Sequence, residues 1–114
     1  MNKTNLENIY KDILELSDKE KQKQYWFGKN HEHISSYVEL MCRLFDDNNF
    51  EEFVDNIKNY KGSKLRESLI SLKELLESYD EGDKEDTEIL LDPQWDLIVE
   101  QARKVISVWD IDIS

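Results

Sequence analysis

The sequence predicts an all-α fold: one domain over residues 1–114, built as a bundle of about five to six antiparallel helices. Three observations carry this. Apolar residues recur at spacings of three and four, the period of a half-buried helix rather than of a strand. Glycine and proline together number only four, too few for the tight turns of an all-β chain. Short polar residues suited to helix N-caps stand in front of most apolar runs.

The elements follow in order. Helix one opens at Thr4, which with Glu7 has the spacing of a capping box, and Leu6, Ile9, Tyr10, Ile13, Leu14 and Leu16 form its apolar face. Ser17 and Glu20 offer a second box, so the chain breaks near Ser17 and restarts. The next segment is polar until Tyr25, Trp26 and Phe27, three adjacent aromatics that cannot all share one helix face. Gly28 marks its end, and residues 29–34 read as a loop.

Ser36 and Glu39 form a third box. Behind it Tyr37, Val38, Leu40, Met41, Leu44 and Phe45 cover a broad arc, predicting a helix more buried than the first. Asp46 to Asn49 reads as a turn, with Asn49 capping a fourth helix whose inner face is Phe50, Phe53, Val54, Ile57 and Tyr60. Gly62 ends that helix, and Ser63 caps a fifth with the stripe Leu65, Leu69, Ile70, Leu72, Leu75, Leu76 and Tyr79. The run from Asp80 to Asp86 reads as an exposed, mobile loop. A helical turn over 87–91 pins the chain back to the core through Ile89, Leu90 and Leu91. Asp92 and Pro93 then open the best-marked helix, with Trp95, Ile98, Val99, Ala102, Val105, Ile106 and Trp109 on one face.

The bulk composition narrows the function classes. Charged residues make up 36% of the chain and the net charge is −11. The charge is uneven: residues 77–100 hold ten acids and one base (Lys84), a net of −9, and residues 46–55 hold five acids and no base. So acidic a chain repels nucleic acid and anionic membrane, both of which demand Lys and Arg, and attracts basic protein surfaces. No stretch approaches a membrane span and no apolar leader opens the sequence, which suits the cytoplasm. Cys42, the one cysteine, falls on an apolar face and reads as a small buried hydrophobe.

Catalytic and metal chemistry find little support. His31 and His33 stand two apart, not the four apart of a zinc-binding helix, so no metal or cofactor is expected. The many carboxylates fall on solvated faces and loops, where nothing singles one out as a general acid. Asp110 and Asp112 read as a frayed acidic end. No nucleophile motif or phosphate loop is present, so no enzyme activity is expected. The acids are the sharpest candidates for contact with a partner: Asp46, Asp47, Glu51, Glu52 and Asp55 in one cluster, and Asp80, Glu81, Asp83, Glu85, Asp86 and Glu88 in the other, extended by Asp92 and Asp96. Tyr25 and Trp26 are secondary candidates, because Tyr and Trp often anchor interfaces.

One resemblance adds to this reading. The order SYVELMCRLFDDNNFEEFVDN, then LRESLISLKELLESY, an acidic loop and ILLDPQWDLIVEQARKVISVW resembles small bacterial immunity proteins of contact-dependent growth inhibition and related polymorphic toxin systems. The likeness covers roughly residues 35–109. The matching positions are caps, turns and core aromatics, so they speak for the scaffold, and no binding residue is carried over by motif. The resemblance implies a protein in the cytoplasm of the toxin-producing cell that binds one-to-one to the toxin domain of its cognate effector. Many such toxins are nucleases with a basic cleft, which an acidic antidote can occupy in place of phosphates. Two other readings stay open: a DNA mimic that blocks a DNA-binding protein, and a helical regulatory module whose acids serve only solubility.

Overall fold

The computed structural model describes residues 3–26, 36–57 and 63–109, the side chains of residues 3–5 and 63 excepted. Among these residues there are seven α-helices and one π-helical segment, with no strand. The helices are α1 (Lys3–Leu16), α2 (Lys19–Trp26), α3 (Tyr37–Met41), α4 (Phe50–Ile57), α5 (Ser63–Ser78), α6 (Asp86–Leu90) and α7 (Pro93–Ser107). The π-helix, Cys42–Asp47, continues α3. The expected all-α single domain is what forms.

Helix α7 is the central element. It packs against both α5 and α1, and α6 folds back onto it. Trp95, Ile98, Val99, Ala102 and Val105 are buried as their spacing predicts, with Ile106 and Trp109 packed at the edge of the core. Its start is fixed as expected: the Asp92 side chain accepts the Gln94 N–H at 2.9 Å, and Pro93 occupies the first turn, where its missing N–H costs nothing. Helix α5 contributes Leu65, Leu69, Leu72 and Leu76 to the same core. Aromatic rings fill the space between: Tyr37 meets Trp95 edge-on at 5.6 Å, and Phe53 stacks on Trp109 at 6.0 Å.

Several local expectations are corrected. The chain does break at Ser17, but Asp18 is the cap of α2. Its Oδ1 accepts the N–H groups of Glu20 and Lys21, while the Ser17 hydroxyl turns back to donate to the Leu14 carbonyl. Adjacent capping candidates compete, and the one whose backbone already leads into the new helix wins. Ser36 caps α3 as predicted, accepting the Glu39 N–H. Asn49 stands before α4 in the left-handed region (φ 52°), and its side chain donates to Glu52 instead of accepting a helix N–H. Asparagine tolerates that conformation better than most residues.

The third helix is not more buried than the first. Helix α1 buries Ile9, Asp12, Ile13, Glu15 and Leu16, whereas α3 and the π-helix bury Tyr37, Leu40 and Leu44. A broad apolar arc exceeds the face that neighbours cover, and Val38 is left 57% exposed. Cys42, expected inside, is exposed, because Leu40 and Leu44 on either side carry the inward face. In α6 only Ile89 and Leu90 pin the chain, and Leu91 is 82% exposed. Phe27, Gly28, the 29–34 loop, Tyr60, Gly62 and the tail from Asp110 lie outside the described residues, and so do the side chains of Thr4 and Ser63, on which the Thr4–Glu7 box and the Ser63 cap depend.

Candidate functional site

The acidic residues lie at the ends and exposed faces of the helices. Asp46, Asp47, Glu51, Glu52, Asp55, Asp80, Asp83, Glu85, Glu88 and Asp96 are exposed, and Glu81, Asp86 and Asp92 are half-buried. Glu51 and Glu52 sit in the first turn of α4, and Asp86 and Glu88 in that of α6, where the positive end of the helix dipole stabilises them. The loop between α5 and α6 is tied by its own turns. Asp80 accepts the Gly82 N–H at 2.9 Å, Gly82 takes the left-handed conformation that glycine allows (φ 54°), and the Lys84 N–H reaches the Glu81 carbonyl.

The two acid-rich segments, 46–55 and 77–100, meet at one lysine. Lys73 on α5 lies 3.8 Å from Glu51 at the start of α4 and 3.5 Å from Glu77. The acidic loop also packs beside the start of α3. The Tyr37 N–H donates to the Asp86 carboxylate, which opposes the upward push of burial on Asp86. Burial, reinforced by Glu81 and Asp80, raises the Tyr37 phenol above its ordinary value.

Asp92 and Asp96 do not simply extend this surface. The Asp92 side chain is only 11% exposed. Besides capping α7 it accepts the Tyr79 hydroxyl at 2.9 Å, and Lys84 lies 3.8 Å away. Its carboxyl is held below the usual range, first by the Gln94 N–H and then by the Tyr79 hydroxyl. Burial, and then the bond to Asp92, push the Tyr79 phenol upward. Asp96 pairs with Lys19 on α2 at 2.5 Å, and so belongs to the α2–α7 side. The aromatic candidates divide. Trp26 is 7% exposed and a core residue, its indole N–H donating to Glu15 Oε2 at 3.1 Å, whereas Tyr25 is half-buried. Trp26 is therefore unsuited to direct contact with a partner.

A polar network beneath the surface is the feature the sequence did not disclose. Gln22, fully buried on α2, receives the Trp95 indole N–H and donates to the carbonyls of Glu15 and Leu16 at the end of α1. Glu15 Oε1 accepts from Arg43 at 3.0 Å, and Asp12 Oδ2 accepts from Asn48 at 2.8 Å. Arg43 Nε lies 3.6 Å from Asp12 Oδ1. Burial raises the Asp12 carboxyl to about 6 against the opposing pull of Arg43 and Asn48. A carboxyl so raised has the acidity of a general acid, but these atoms are occupied in joining α1 to the π-helix. A crevice of about 210 Å³ beside it is lined by Lys11, Leu14, Lys21 and Tyr25 along with Asp12, Glu15 and Arg43. Alternation of polar and apolar residues along α1 reads as an ordinary amphipathic helix, so only the partners' positions mark Asp12 and Glu15 as buried.

Among the described residues no group of three or more His, Cys, Asp or Glu is arranged to hold a metal ion, and no helix is long and apolar enough to cross a membrane. The chain matches no family model, no curated protein and no solved structure.

Proposed function

We propose that this chain is an immunity-type binding protein, without enzymatic activity, that neutralises a basic toxin domain by covering its substrate cleft with an acidic surface. The toxin is expected to be a nuclease bound one-to-one, met in the cytoplasm of the cell that makes both. The observation that carries the reading is the convergence of Glu51 and Glu77 on Lys73, which joins two acid-rich segments otherwise far apart in the sequence. Within those two segments Asp46, Asp47, Glu52, Asp55, Asp80, Asp83, Glu85 and Glu88 are exposed. Such a field steers a basic partner and speeds its encounter. The resemblance of residues 35–109 to immunity proteins supplies the class of partner.

The test is co-expression with the toxin-domain reading frame adjacent to this gene. Protection of growth and a 1:1 complex on size-exclusion chromatography are expected, with affinity falling as salt rises. Charge reversal at Asp46, Asp47, Glu51 and Glu52 together with Asp80, Asp83, Glu85 and Glu88 should weaken the complex at least tenfold. Unchanged binding and protection would overturn the electrostatic mechanism. Capture of several unrelated DNA-binding proteins in place of one toxin would favour the DNA-mimic reading.

A further inference from the structure

The π-helix at Cys42–Asp47 has a specific tertiary cause. Residues five apart in an α-helix point about 140° away from each other, since each residue turns the chain by about 100°. In a π-helix the i→i+5 hydrogen bond places such residues one above the other. Arg43 and Asn48 are five apart, and the Asn48 N–H donates to the Arg43 carbonyl at 2.8 Å. Both side chains reach α1 at the same place: Asn48 Nδ2 to Asp12 Oδ2 at 2.8 Å, Arg43 Nε to Asp12 Oδ1 at 3.6 Å, and Arg43 to Glu15 Oε1 at 3.0 Å. One buried carboxylate thus meets two side chains that an α-helical register would point apart.

We infer that Asp12, hydrogen-bonded to Asn48 and ion-paired with an Arg43 held by Glu15, selects the π register of residues 42–47, and that this register sets the direction in which Asp46 and Asp47 are presented. Without the double grip the segment relaxes to the commoner α register. Residues after the change turn by about one residue's rotation, roughly 100°. Asp46 and Asp47 lie at the end of the segment and are exposed, so they report its register directly. The consequence for a partner rests on the function proposed above, whereas the register itself does not.

The grip faces a mixed set of charges. From α1 come Lys11 and Glu15, from α2 Lys21 and Tyr25, and from the π-helix Arg43 and Asp47.

The experiment uses the full chain alone and needs no toxin. Amide hydrogen exchange and through-hydrogen-bond NMR couplings are measured at Asn48 in the parent, in Asp12→Leu, and in an Arg43→Met/Asn48→Ala double variant that leaves α1 intact. The parent should show the coupling from the residue 48 amide to the residue 43 carbonyl. Either variant should lose it and exchange that amide at least tenfold faster, with the α7 amides unchanged. Retention of the 48-to-43 coupling in the folded double variant would overturn the inference, even should Asp12→Leu fail to fold. Failure of the toxin experiment would leave this result standing.

Discussion

The indole N–H of Trp95 on α7 donates to the side-chain carbonyl of Gln22 on α2 at 3.0 Å, and both residues are fully buried. Gln22 passes the connection on to the Glu15 and Leu16 carbonyls, which close the end of α1. One side chain therefore satisfies polar groups from two other helices.

Replacing Gln22 with leucine keeps the volume and strands the Trp95 N–H and the Leu16 carbonyl, while the Glu15 carbonyl keeps the Asp18 N–H. A loss of about 1–3 kcal/mol in urea denaturation is expected. Trp95→Ala should cost about 3–5 kcal/mol, since the whole ring is buried. The double variant should lose less than the sum, because the first change already breaks the shared bond. Strict additivity would count against the network.

Asp12 gives a pH dependence of definite sign. Well below pH 3.8 its carboxyl is protonated in the folded and unfolded chain alike. Its folded-state value is raised to about 6 from the ordinary 3.8, so between these limits the folded state binds the proton more tightly. Its contribution to stability therefore falls as pH rises through this window, by about 2–3 kcal/mol in all. Asp12→Asn, which keeps an acceptor for Asn48, should gain on the parent between pH 4 and pH 6.5. Thermal melts across that range measure the difference, and a constant gap between the two proteins would refute it.

The two capping candidates before α2 separate cleanly. Asp18→Ala should cost about 1 kcal/mol, because it frees the N–H groups of Glu20 and Lys21. Ser17→Ala loses only a bond to the Leu14 carbonyl and should cost no more than about 0.5 kcal/mol. Chemical denaturation of the two variants side by side decides between them, and the reverse order would restore Ser17 as the cap.

Leu90 and Leu91 are neighbours with opposite environments, 5% and 82% exposed. Leu90→Ala should destabilise by about 2–4 kcal/mol, whereas Leu91→Ala should stay within about 0.5 kcal/mol. Equal losses would mean that Leu91 is covered in solution.

The sequence by itself determined the helical fold, the break at Ser17, the Ser36 cap, and the start of α7 at Asp92 and Pro93. These are local matters: periodicity and capping chemistry act within a few residues, so the chain announces them without knowing its neighbours. It also determined where the acids cluster. Only the tertiary structure decided how the acids are presented, because Asp92 is drawn in by Tyr79 and Asp96, though exposed, is paired with Lys19. Only there does Lys73 bring Glu51 beside Glu77, and only there does Trp26 withdraw into the core. The π-helix and the burial of Asp12, Glu15 and Gln22 were equally out of reach. A register shift and a buried polar group are each stabilised by partners distant along the chain, here 36 residues for Asp12 and Asn48 and 73 for Gln22 and Trp95, and no local pattern encodes such a meeting.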